Sequence, residues 1–126
     1  MKITPPEQVI ADRLNAEAAN AEADRKAREH MQEFNAACAK FRAVCEQIRQ
    51  FLHLEEFKGG FDEYAAMMES EYFLADPTTA NTLMHEWSGM NQLCTYLGEK
   101  VGKGQPDWWY YAWSDEAVNA SAEQED

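Results

Sequence analysis

The sequence predicts an all-α protein, in which a long N-terminal helix packs with two shorter helices and a Trp-rich C-terminal helical element. Residues 34–52 carry apolar side chains at alternating steps of four and three, as in a helix with one buried face. Residues 7–58 contain no Gly and no Pro. Two later segments, 61–75 and 80–97, also repeat large apolar side chains at three and four.

The first helix is predicted to begin near Thr4, Pro5 and Glu7, a capping residue followed by first-turn residues, and to stop at Gly59-Gly60. One continuous helix would be roughly 80 Å long, so the sequence leaves open whether residues 5–57 are unbroken. Its buried stripe comprises Phe34, Cys38, Phe41, Cys45, Ile48 and Leu52, with Ala37, Val44 and Phe51 beside them. Residues 1–30 have few large apolar side chains and are predicted to project as an arm, which either associates with a second copy or is solvated.

Residues 31–118 are predicted to form the core domain, and residues 119–126 a disordered acidic tail. The predicted second helix runs to Ala75, with Phe61, Tyr64, Ala65, Met68 and Tyr72 on its apolar side. Asp76-Pro77 then starts a third helix, which Gly98 ends. The element at 106–113 fits either a helix or a strand.

Charge is distributed unevenly along the chain, whose formal net charge is −12. Residues 1–58 carry 10 acidic and 9 basic side chains, whereas residues 59–126 carry 13 acidic side chains and only two lysines. The candidate partner-binding carboxylates are Asp62, Glu63, Glu69, Glu71, Asp76 and Glu86. They indicate either an anionic face that docks on a basic protein surface, such as one that otherwise holds nucleic acid, or an acidic surface that only maintains solubility.

The aromatic run at 108–113 has two interpretations. Trp108, Trp109 and Trp113 either lock the last element over the core or form an exposed set of anchors for a partner. One face of this element can also point inward while the other points outward.

No residue pattern predicts catalysis, a metal or a cofactor. The three histidines lack a second His or Cys at helical metal spacing, and Cys38, Cys45 and Cys94 fall at apolar positions typical of reduced, buried thiols. The negative charge argues against direct binding to nucleic acid or to an anionic membrane. With no signal-peptide pattern and no apolar run of membrane-spanning length, we expect a cytoplasmic protein.

The sequence therefore favours a non-enzymatic regulator or inhibitor that mimics nucleic acid by covering a basic surface of a protein partner. The alternative is an oligomeric structural or assembly protein, for example a homodimer formed through the N-terminal helix.

Overall fold

The computed structural model describes the backbone of residues 6–124 and the side chains of residues 13–120. Six helices follow one another: α1 (Pro6–Leu52), α2 (Phe61–Met68), α3 (Glu71–Ala75), α4 (Pro77–Lys100), α5 (Asp107–Ala112) and α6 (Asp115–Gln124). Within the described backbone there is no strand, which confirms the predicted all-α class. The Trp-rich segment is accordingly the helix α5.

The second half of α1 is the centre of the core. Phe34, Cys38, Phe41, Cys45 and Ile48 are all 0% exposed, which confirms the predicted stripe. Helices α4, α5 and α6 pack against α1, and they bring Trp87, Trp108 and Ala117 into the same buried cluster. Because α1 contacts α3 as well as α4, α5 and α6, its apolar face is the surface on which the fold assembles.

The first half of α1 has a different environment. Every side chain from 13 to 29 is exposed, and Arg25 forms ion pairs with Glu22 and with Glu29, the latter at 3.0 Å. Met31 packs against the core. The predicted cap at Thr4 and Pro5, and the end of the predicted tail at residues 125–126, lie outside the described residues.

Helix α1 ends earlier than predicted. His53 takes a left-handed conformation with φ of 57°, and the Leu54 N–H donates to the Arg49 carbonyl at 3.0 Å. This geometry closes a helix as a C-terminal glycine usually does. The early end allows the following loop to turn back, so that Phe57, which is 3% exposed, reaches the core.

The predicted second helix is two helices. Ser70 interrupts it and caps α3 by accepting a hydrogen bond from the Tyr72 N–H at 3.2 Å. The predicted apolar stripe is also wrong in phase, because Met67 is the buried residue of α2 whereas Phe61 is 62% exposed. Two residues of the predicted stripe still contact α4: the Tyr64 ring stacks on Trp87 with the ring centres 4.1 Å apart, and the Phe61 ring meets Trp87 edge-on at 5.8 Å.

Helix α4 begins as predicted and continues past Gly98. Asp76 accepts a hydrogen bond from the Thr79 N–H at 3.1 Å, and Pro77 lies in the first turn. Gly98 is buried within the helix, where the Lys103 N–H donates to its carbonyl at 2.7 Å. A Cβ at Gly98 would collide with the carbonyl oxygen of Lys103, so this glycine permits a close backbone approach rather than ending the helix.

Helix α6 was not predicted. Ser114 starts it by accepting a hydrogen bond from the Ala117 N–H at 3.2 Å, and Asp115 and Glu116 lie in its first turn. Ala117 is 0% exposed against the core. The chain from Asn119 to Gln124 is therefore helical, where the composition predicted a disordered tail.

Candidate protein-binding surface

Three tryptophans hold the loop between α1 and α2 in place. The indole N–H groups of Trp109 and Trp113 both donate to the Lys58 carbonyl, at 2.8 and 2.9 Å. The Trp87 indole donates to the next carbonyl, that of Gly59, at 3.3 Å. A carbonyl oxygen has two lone pairs and can accept two donors. Helices α4 and α5 are thereby attached to one short stretch of loop.

Glu63 holds the same loop from the side of α2. Its carboxylate accepts hydrogen bonds from the Lys58 N–H at 3.2 Å and from the Gly60 N–H at 3.1 Å. The second of these is the return bond of a capping box, in which the third helical residue satisfies the backbone before the helix. Glu63 is one of the predicted partner-binding carboxylates. In the structure its side chain is half-buried and fixes the loop.

The other predicted carboxylates are exposed, and several of them lie at helix starts. Asp62 is in the first turn of α2, Glu71 is in the first turn of α3, and Asp76 caps α4. Negative charge is favourable at these positions because of the helix dipole. The pKa of Asp76 is lowered by hydrogen bonding to the Thr79 side chain and backbone. Glu69 and Glu86 have no such role.

Most ion pairs among the described side chains lie within α1. Within the described side chains, four basic residues of α1 pair with glutamates of α1 itself: Arg13, Arg25, Lys26 and Arg49, the last with Glu46 at 2.5 Å. Over the same residues, no Lys or Arg lies within ion-pair distance of four exposed carboxylates, which we call the free carboxylates: Asp62, Glu69, Glu71 and Glu86. Their negative charge is thus left unneutralised by close contact.

The predicted tryptophan anchors are used mainly in packing. Trp108 is 1% exposed and meets the Phe41 ring edge-on at 5.1 Å, so it is not available on the surface. Its Nε1 has no hydrogen-bond partner among the described residues. Trp109 and Trp113 are half-buried, with their N–H groups on the loop carbonyl. The exposed aromatic residue of α5 is Tyr110, at 66%.

A groove of about 430 Å³ lies between the end of α1, the loop and the helices α2 and α3. We call it the acid-rimmed groove. Its apolar lining includes Leu52, Leu54, Phe57, Met67 and Tyr72. Its carboxylates are Glu56, Glu63 and Glu71.

The groove brings together two of the predicted residues, Glu63 and Glu71, and adds Glu56, which sequence reasoning missed. Glu86 lies elsewhere, in a shallower depression between α1 and α4. The early end of α1 creates the groove, because it moves Leu54 and Glu56 out of the helix. Position 53 is a histidine, so the sequence lacks the glycine that usually signals a helix end.

The three cysteines are free thiols buried in the core. Burial, together with the nearby charge of Glu63, raises the pKa of Cys45 to about 12. The pKa of Cys94 is raised by its hydrogen bond with Cys38 and by burial. A reactive cysteine is exposed and has a lowered pKa, so neither Cys45 nor Cys94 has the environment of a nucleophile.

The described residues contain neither a metal-binding cluster nor a membrane-spanning helix. Among the described residues, no group of three His, Cys, Asp or Glu side chains is placed to hold a metal ion. None of the described helices combines the length and the apolar character needed to span a bilayer. Comparisons of the chain with models of known protein families, with curated protein sequences and with solved structures found no match.

Proposed function

We propose that this protein is a small, acidic, non-enzymatic regulator or inhibitor that covers a basic surface of a protein partner. The observation that carries the proposal is the unneutralised charge of the free carboxylates, over a chain segment, 59–99, that contains no Lys or Arg. Unpaired carboxylates on one segment add to a negative potential, which attracts a basic surface and speeds its association. Such a surface is the kind that otherwise holds phosphate groups.

The folding roles of Asp62 and Glu71 are compatible with this proposal. A helix start stabilises a nearby carboxylate without removing its charge, because the dipole is equivalent to only about half an elementary charge. Both side chains are exposed and available for contact. Glu63 and Asp76 are less suitable for a test, since their carboxylates hold backbone N–H groups.

The test is capture of binding proteins by a variant in which the free carboxylates become Asn or Gln. Its matched control replaces Glu17, Asp24, Glu29 and Glu33 in α1, which changes the net charge by the same amount at exposed positions. The parent and the control should retain the same basic proteins at low salt, whereas the variant should lose them. If both quadruple variants behave alike, net charge matters and the location of the carboxylates does not, and the proposal fails.

The second candidate, an assembly protein built through α1, is favoured by one observation. All side chains from 13 to 29 are exposed, and Leu14 is 55% exposed with no described partner helix over it. Removal of residues 1–27 should then reduce the mass measured by light scattering without abolishing the helical circular dichroism. A charge-driven complex weakens with salt and an apolar helical assembly does not, so the mass of the parent in high salt separates the two candidates.

A further inference from the structure

The acid-rimmed groove has an apolar interior that folding leaves open. Leu52, Phe57 and Met67 are buried side chains that line it, and Leu54 and Tyr72 lie beside them at 40% and 44% exposure. The volume of about 430 Å³ lies within the range of sites that enclose a ligand or an inserted side chain. The interior therefore suits aliphatic groups.

Exposed apolar side chains are frequent in the segment that forms the groove, and two of them, Leu54 and Tyr72, line it. The segment 54–74 contributes five large apolar residues with at least 40% exposure: Leu54, Phe61, Met68, Tyr72 and Leu74. Leu74 is 71% exposed on the short helix α3. Single exposed apolar residues are ordinary, but several in the segment that forms a groove are typical of an interaction surface.

The charge at the rim defines the kind of partner. Glu56, Glu63 and Glu71 line the groove, and no Lys or Arg does. Glu56 pairs with Lys58 at 3.1 Å, and Glu63 binds two backbone N–H groups, which leaves its net charge in place. Glu71 has no ion-pair partner among the described residues. An occupant must match an apolar interior and a negative rim.

We propose that the acid-rimmed groove binds an amphipathic basic segment of the partner, which inserts aliphatic side chains against Phe57 and Met67 and places flanking Lys or Arg beside Glu71. The inference rests on the proposed function and names its contact site. Apolar insertion provides the affinity, since each buried aliphatic side chain is excluded from water. The carboxylates provide orientation and rate of association.

Two synthetic peptides test the inference. The first is an amphipathic peptide of Leu and Lys, and the second has Ser in place of each Leu and the same charge. Methyl NMR of methionine-labelled protein reports the site, because Met67 lines the acid-rimmed groove and Met90 lines the depression between α1 and α4. The Leu/Lys peptide should shift the Met67 methyl and leave Met90 unchanged, and the Ser/Lys peptide should shift neither at the same concentration.

Two Trp substitutions provide the matched variants. Ala66 lines the acid-rimmed groove and Ala43 lines the other depression, and both are exposed, so neither substitution should disturb the core. Ala66→Trp fills the groove and should lower the affinity for the Leu/Lys peptide by about tenfold or more, which is the effect of losing one inserted side chain. Ala43→Trp should leave its affinity unchanged. Glu71→Gln should lower the affinity for the Leu/Lys peptide and make that affinity less dependent on salt.

The remaining outcomes separate the two proposals. Equal, salt-sensitive binding of both peptides without a Met67 shift would overturn the groove as the contact site and leave the acidic surface standing. No binding of either peptide at low salt would overturn both proposals. Binding that is insensitive to salt and to Glu71→Gln would show an apolar site with no preference for a basic partner. That result would contradict both proposals. A Met67 shift on concentrating the protein alone would identify the occupant as a second copy and overturn the inference.

Discussion

Gly59 is the residue at which the loop between α1 and α2 is most sensitive to a single added methyl group. Its φ is 77°, a left-handed conformation, and its carbonyl accepts the Trp87 indole N–H. A Cβ built on Gly59 would lie 2.6 Å from Phe41 Cζ, 2.8 Å from Cys45 Sγ and 3.0 Å from Trp87 Nε1. All three neighbours are buried, so they have little room to move.

We expect Gly59→Ala to destabilise the fold through two independent costs. A non-glycine residue in the left-handed region costs about 1–2 kcal/mol. An extra methyl forced into a packed core costs about 1–3 kcal/mol more. The sum, roughly 2–5 kcal/mol, is a large part of the stability of a small domain and should lower Tm by about 10 °C or more.

Three other glycines separate these costs. Gly102 has a φ of 76° and nothing within 4 Å of its Cβ position, so Gly102→Ala should incur only the conformational cost. Gly89, in the middle of α4, has neither constraint, and its replacement by Ala should stabilise the helix by roughly 0.5–1 kcal/mol. Gly98 lacks the positive φ but faces the Lys103 carbonyl, so its replacement tests the contact cost alone.

Urea unfolding followed by circular dichroism gives the four free energies on one scale. The expected order of loss is Gly59→Ala greatest, Gly98→Ala and Gly102→Ala intermediate, and Gly89→Ala a small gain. If Gly59→Ala costs no more than Gly102→Ala, the contacts with Phe41, Cys45 and Trp87 do not hold the loop.

Two further predictions concern the core. Phe41→Ala should cost about 3–5 kcal/mol in urea unfolding, because the ring is 0% exposed and packs on Trp108 and Trp113; a variant that unfolds like the parent would contradict its place in the core. The pKa of Cys45 is raised from 9.0 to about 12 in the folded state. The contribution of the neutral thiol to the free energy of unfolding is therefore complete below pH 9. It is lost as pH rises toward 12, by up to about 1.4 kcal/mol per pH unit. Cys45→Ala should make the alkaline loss of stability shallower, and an unchanged pH dependence would exclude Cys45 as its source.

The parts of the fold that were predicted correctly are those with long repeated patterns. The stripe from Phe34 to Leu52 and the buried positions of α4 extend over several turns, so the period is unambiguous. In α2 and α3 the helices have 8 and 5 residues, and the same apolar residues fit more than one phase. The packing of Met67 into the core decides the phase of α2, and the sequence does not display that contact.

The roles of the polar and aromatic residues were less predictable for a physical reason. Trp109, Trp113 and Glu63 act on the backbone of residues 58–60, and such bonds depend on where a loop passes and not on what its side chains are. Helix α6 did have a local signal, the cap Ser114 followed by Asp115 and Glu116. The polar composition beyond it predicted disorder and obscured that signal.

The carboxylates that serve folding can be separated from those that do not, and this separation is the strongest test of function. Asp76 caps α4, so Asp76→Ala should cost about 1 kcal/mol by loss of the cap. Glu86 is exposed in the middle of the same helix and has no ion pair among the described residues, so Glu86→Gln should change stability by less than about 0.5 kcal/mol. Folding therefore gives no local reason for a charge at Glu86 or at Glu69.

If the acidic surface binds a basic partner, replacing both glutamates should slow association and reduce its salt dependence while Tm stays unchanged. Association as fast as that of the parent would mean that these carboxylates only maintain solubility.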